Sequence, residues 1–150
     1  MKKLTTILAA AAILFSASAF AKDSKETKAT TRVEKSFSKD FSNASSTSWR
    51  KVGDVFIANF IVDNTEIEAA YNLDGELLGT MKQIAIADVP LAVTMAIGKK
   101  YEGYEVAKKA DEITYEKQTS YYINVSNHKQ ILKLKCTANG DILVDKKTKI

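Results

Sequence analysis

In DVFIANFIVDNTEIEAAYNLDGEL, Asp54 to Leu77, apolar and polar residues alternate with a period of two, which no helix can collect on one side. The pattern predicts two β-strands. One face gathers Phe56, Ala58 and Phe60 and, after a turn at Asp63-Asn64, Ile67, Ala69, Tyr71 and Leu73. The Asp74-Gly75 corner then reads as a hairpin turn that needs positive φ.

The same text recurs in SYYINVSNHKQILKLKCTANGDI, Ser120 to Ile142. Its matching face collects Tyr121, Ile123, Val125, Leu132, Leu134, Cys136 and Ala138, each 65 residues beyond its counterpart. Gly75 and Gly140 keep that offset, as do Leu77 and Ile142. Ahead of each hairpin lies a helical stripe: Val33, Phe37 and Phe41, then Val93, Ile97 and Tyr101, 60 residues on. Asp88 and Pro90 start the second helix, and Gly103 marks its stop. About five residues therefore enter the second copy between helix and hairpin. Two copies are too few for a solenoid, so the pair is expected to share one core.

Further strands fit around Thr47 to Val52 and Leu77 to Ile84 in the first copy, and around Val106 to Tyr115 and Ile142 to Lys147 in the second. The expected fold is α+β. Two tandem helix-plus-four-strand antiparallel repeats, residues 32–87 and 88–150, share a large sheet with the helices on one face and the other face open to water.

The chain opens with Lys2 and Lys3, an apolar run from Leu4 to Phe15 and small residues around Ala19-Phe20-Ala21, the order of a secretory signal peptide. Cleavage is expected after Ala21, leaving a periplasmic or secreted protein with no stable membrane insertion. Residues 22–31, KDSKETKATT, read as a disordered lead. Removal of residues 1–21 leaves 20 basic and 18 acidic side chains, so the net charge falls from +4 to +2. That balance gives no strong basic stripe and no reason to expect nucleic acid. Cys136 is the sole cysteine, so the exported domain has no internal disulfide and relies on its core.

In the order of its motifs the mature chain resembles the β-lactamase-inhibitor-like, PepSY-like periplasmic proteins. The first half carries Asn43-Ala44, Trp49, Gly53-Asp54 and Asp74-Gly75; the second carries Val89-Pro90, Tyr101-Glu102-Gly103-Tyr104, Tyr121-Tyr122 and Asn139-Gly140. The resemblance implies a non-catalytic exported module of tandem helix-plus-sheet repeats, whose inhibitor relatives grip an enzyme with the open face of the sheet. Asn139 stands where the family usually has Asp, a change that keeps the turn chemistry.

Catalytic sets are not legible. His128 falls in the turn Asn127-His128-Lys129 with no second His or Cys for a metal. Glu66 and Glu68 share one face of a strand as solvated carboxylates, and Cys136 points inward without a partner to activate it. Asp63-Asn64 and Asp74-Gly75 are too sparse for a calcium loop. No cofactor is expected.

The face opposite the core offers Ile57, Ile61 and Tyr122 as an apolar centre, with Glu66, Glu68, Lys133 and Lys135 as its polar rim and Trp49 on either side of the sheet. An apolar patch ringed by polar groups is the anatomy of a protein-binding surface. The expected function is a protein-binding or inhibitor-like module whose partner is another periplasmic or secreted protein. A small-ligand or envelope-sensing domain is the alternative and needs a concave pocket; a hydrolase is third.

Overall fold

The computed structural model describes residues 27–150 together with Phe15. The cleavage site and the first half of the lead, residues 22–26, lie outside the described residues. What is described is an antiparallel sheet of nine strands with two α-helices, in two compact units: residues up to 82 with 115–117, and residues 83–114 with 118–150. The division falls inside a strand after Lys82, five residues before the boundary at 87/88 expected from sequence.

In the first unit, α1 (Thr31–Asp40) begins where the Thr30 hydroxyl accepts a hydrogen bond from the Val33 amide at 3.4 Å. Ahead of it, Thr27 N–H donates to the Trp49 carbonyl at 3.2 Å. Strands β1 (Ser45–Val52), β2 (Val55–Val62), β3 (Thr65–Tyr71) and β4 (Leu77–Ala85) follow in that spatial order. Asp63 and Asn64 both take positive φ, +48° and +61°, as a two-residue hairpin turn requires. Val33 and Phe37 of α1 pack on Phe56, Ala58, Phe60, Ala69 and Tyr71, with Phe41, Trp49 and Ile67 partly buried around them. Phe60 lies at the centre, its ring 4.9 Å from Phe37 and 4.6 Å from Phe41.

The second unit opens with a 3-10 turn, Ile86–Asp88, and α2 (Leu91–Lys100), which Pro90 precedes. Its strands are β5 (Glu105–Val106), β6 (Lys109–Tyr115), β7 (Gln118–Ser126), β8 (Gln130–Thr137) and β9 (Ile142–Lys149). Val93 and Ile97 pack on Ala110, Tyr121, Ile123, Val125, Leu132, Leu134 and Cys136. Glu105 pairs with Ser126 as Ser45 pairs with Ile61, and just beyond, the first unit has a bulge at Ser46 (φ +53°) while the second breaks into β5 and β6.

Register follows the alternation read from sequence. Phe56 faces Tyr71, Ala58 faces Ala69 and Phe60 faces Ile67; in the second unit Tyr121 faces Cys136, Ile123 faces Leu134 and Val125 faces Leu132. Leu73 and Ala138 depart from the expected inward face and are exposed. Each has left the strand for the corner, where alternation no longer applies.

At the first corner Gly75 N–H donates to the Asn72 carbonyl, and the Asn72 side-chain oxygen accepts from Asp74 and Glu76 amides at 3.0 and 2.9 Å. At the second, Gly140 N–H donates to Thr137, whose hydroxyl accepts from the Asp141 amide. Both glycines lie under the helix of their own unit. A Cβ on Gly75 would lie 2.7 Å from Ser36 Oγ and 3.2 Å from the Arg32 carbonyl oxygen; one on Gly140 would lie 2.7 Å from the Ala92 carbonyl oxygen.

Gly140→Ala is therefore expected to cost more stability than Gly53→Ala. Both positions have positive φ, +91° and +57°, which costs a residue with a Cβ roughly 1–2 kcal/mol. Gly53 has nothing within 4 Å of the added carbon, whereas Gly140 meets helix backbone. Urea melts of the two variants check this, and equal losses would show that α2 shifts aside freely.

Candidate functional site

The eight residues expected on a solvent-facing surface divide when placed on the strands. In the first unit Ile57 pairs with Arg50 on β1 and Ala70 on β3, and Asn59 pairs with Ser48 and Glu68. These residues share the side away from α1. Ile61 is 37% exposed and Glu66 is exposed, as expected. Ile57 is 0% exposed in the full-length chain and Glu68 only 4%, so the face is not open at either position. The correction has a visible cause at Glu68, whose carboxylate accepts from Arg50 Nη2 at 3.1 Å in an ion pair with both side chains largely buried. Burial raises the Glu68 pKa from its ordinary value, and the Arg50 charge opposes the rise. Glu66 is engaged too, accepting from Asn59 Nδ2 at 2.7 Å.

Trp49 settles on the core side. Its ring meets Phe37 edge-on at 5.3 Å and lies 6.4 Å from Tyr71, because its neighbours Arg50 and Ser48 take the other face. Of the two sides that the sequence leaves open for it, Trp49 takes the core side, where it is partly buried.

In the second unit Tyr122 faces Lys135 across the β7–β8 ladder, and Asn124 faces Lys133. Tyr122 is 4% exposed, again not the open position expected. Lys133 and Lys135 hold their ammonium groups 5.3 and 5.7 Å from its ring centroid, so the rim residues lean over the aromatic they were expected to surround. Burial, reinforced by Asp145, pushes the Tyr122 hydroxyl up to about 12. Burial lowers the pKa of Lys135, with Asp145 acting against it.

The burial has one further feature. Among the described residues, the buried apolar side chains that join neither helix-packed cluster are Phe15, Ile57 and Ala70 in the first unit and Ile113 and Tyr122 in the second. Sequence alternation signals that Ile57 and Tyr122 lie opposite the helices, but it carries no signal for their burial there.

Polar chemistry elsewhere is structural. Tyr71 donates its hydroxyl to Asp40 at 2.9 Å, and its pKa is raised by burial and by that carboxylate. The Cys136 thiol, fully buried, is pushed up to about 11 by burial. His128 is exposed beside Asn127, whose side-chain oxygen accepts from the Lys129 and Gln130 amides. Among the described residues no group of three or more His, Cys, Asp or Glu is arranged to hold a metal ion.

This architecture recurs in solved structures. A BLIP-like protein from Bacteroides fragilis superposes with a TM-score of 0.69 at 20% identity, over 83% of this chain and 88% of that one. The chain has the BLIP-like fold. A Bacteroides eggerthii protein described as periplasmic matches at TM-score 0.70 and 17% identity, over 83% of this chain and 91% of that one. A DUF2874-family protein from Bacteroides ovatus matches at 0.69 and 19%, over 82% and 89%. No family model matches the sequence, and no curated protein matches it. The likeness to BLIP-like structures thus lies in the fold. Among the described residues no helix is long and apolar enough to cross a membrane.

Proposed function

We propose that this chain is an exported, non-catalytic protein-binding module of BLIP-like fold, acting through the sheet face that lies away from its helices. The observation that carries the reading is the burial of Ile57 and Ala70 outside the first unit's cluster. Phe15, the other buried apolar residue of that unit outside the cluster, belongs to the segment that export is expected to remove. The mature chain loses that side chain and keeps Ile57 and Ala70. We take the leader to be what covers Ile57 and Ala70, so that its removal leaves an apolar patch beside the exposed Ile61, which suits a protein partner.

The tandem helix-plus-strand repeat belongs to the same proposal. The 65-residue offset in strand pairing and the placement of Gly75 under Arg32 and Ser36, and of Gly140 under Ala92 and Ala96, support duplication. Periplasmic location after cleavage at Ala21 is likewise proposed, from the leader pattern and from the fold.

Hydroxyl-radical footprinting of residues 22–150 against the full-length chain tests the reading. Ile57 is expected to become reactive in the mature form. Mature protein carrying Ile57→Ser and Tyr122→Ser, shown to be folded by melts, is then expected to lose captured periplasmic partners by more than about tenfold. Protection of Ile57 in the mature chain, or unchanged capture by the folded double variant, would overturn the proposal.

A further inference from the structure

Within the second unit, β9 is an edge strand: β8 pairs with it on one side, and among the described residues no strand pairs on the other. Seven of its eight residues are exposed, with Leu143 at 66% and Val144 at 45%. An unpaired edge of this length is a template for another strand unless something blocks it. The edge strand of the first unit shows what blocking looks like. There the Trp49 carbonyl already accepts from Thr27 N–H; β9 shares a bulge with β1, at Asp145 between the Lys133–Lys146 and Leu134–Val144 pairs, but among the described residues has no such backbone partner on its outer side.

The direction of the free backbone groups on β9 follows from two hydrogen bonds. Ile150 N–H donates to the Lys129 carbonyl and Thr137 N–H to the Asp141 carbonyl. Antiparallel alternation from these points turns the backbone groups of Thr148, Lys146 and Leu143 toward β8, and those of Val144, Lys147 and Lys149 outward.

Charge then selects the occupant. Strands β8 and β9 carry Lys133, Lys135, Lys146, Lys147 and Lys149, with Asp145 their one acid. None of the five lysines makes an ion pair with a described residue, and Lys133 stands directly opposite Lys146, an unfavourable like-charge pairing. A second copy adding β9 to β9 would bring Lys146, Lys147 and Lys149 against themselves. An acidic strand would relieve the charge instead.

We propose that β9 accepts an extended acidic segment of another protein by strand addition. Its backbone pairs with Val144, Lys147 and Lys149; carboxylates on one side of the added strand meet Lys147 and Lys149, and apolar residues on its other side cover Leu143. The surface is separate from the sheet face argued above, and neither reading needs the other.

The test uses an octapeptide alternating valine and glutamate, its lysine counterpart, and a glutamate version N-methylated at alternate residues so that it cannot complete the ladder. Binding to residues 22–150 is expected for the glutamate peptide alone, weakening as salt is raised. Lys147→Gln, which removes charge only, is expected to weaken it a few-fold. Lys147→Pro, which also removes an outward N–H at an edge position that tolerates proline, is expected to weaken it at least tenfold beyond Lys147→Gln, with the melting transition retained. Equal binding by the two variants, undiminished binding of the N-methylated peptide, or equal binding of the lysine peptide would each overturn the proposal. So would capture of anionic vesicles without the glutamate peptide, or a concentration-dependent dimer of the wild type that Lys147→Pro abolishes.

Discussion

Phe60→Ala is expected to destabilise the protein by about 3–5 kcal/mol, the range for removing a fully buried aromatic side chain from a close-packed core. Phe60 is 0% exposed, and its ring is the meeting point of α1 and β2 through Phe37 and Phe41. Truncation leaves a void that two ring contacts border, and the rigid β2–β3 ladder on which Phe60 faces Ile67 cannot collapse into it. Urea denaturation of the mature chain measures the loss. Ile57→Thr, one strand face over, serves as the comparison: a smaller loss in the mature chain is expected if that face is exposed once the leader is gone. Comparable losses would show that the mature chain itself covers both sides of β2.

Glu68→Ala is expected to cost about 3–5 kcal/mol, because it strips the Glu68 carboxylate from a guanidinium that is itself only 11% exposed. The double replacement Arg50→Met with Glu68→Leu is expected to recover most of that loss, since exchanging a whole buried pair for apolar groups of similar size is often neutral or stabilising. The pH dependence has a definite sign. Glu68 holds its proton more tightly in the folded chain than the ordinary value of 4.5 allows, with burial the leading cause. Its contribution is fully present below 4.5 and is lost as the pH rises through the raised folded value. Glu68→Gln should flatten stability across that acidic window. A double variant as unstable as Glu68→Ala would mean that the pair holds the strands in a way apolar groups cannot replace.

The strands were the legible part, and the reason is mechanical. On β2, β3, β7 and β8 one face is packed against a helix, so period-two alternation from Phe56 to Tyr71 and from Tyr121 to Cys136 is imposed by burial. Alternation stops predicting where the chain turns, so it assigns Leu73 and Ala138 inward although both are exposed. The side Trp49 takes is not legible because β1 is bulged between Ser45 and Ser48, immediately before it, and has few apolar neighbours to fix its phase. The Arg50–Glu68 pair is not legible in the sequence because its partners lie on strands that are not adjacent. Their placement becomes readable only after the β1–β2 and β2–β3 registers are known, when Arg50 and Glu68 fall on neighbouring rows of one face. Alternation puts Tyr122 on the face opposite the core and so predicts exposure, yet Lys133 and Lys135, opposite it on β8, fold their stems across its ring.

Each core cluster is also contiguous along the chain. The first draws on residues between Ala29 and Tyr71 and the second on residues between Ile84 and Ile142. For a polypeptide threaded N-terminus first through a narrow pore, that order matters. The first cluster has all its parts once Tyr71 has cleared the exit, and the residues of the second need not have emerged. Collapse of the leading half on the far side of the pore would then oppose backsliding while the trailing half is still in transit.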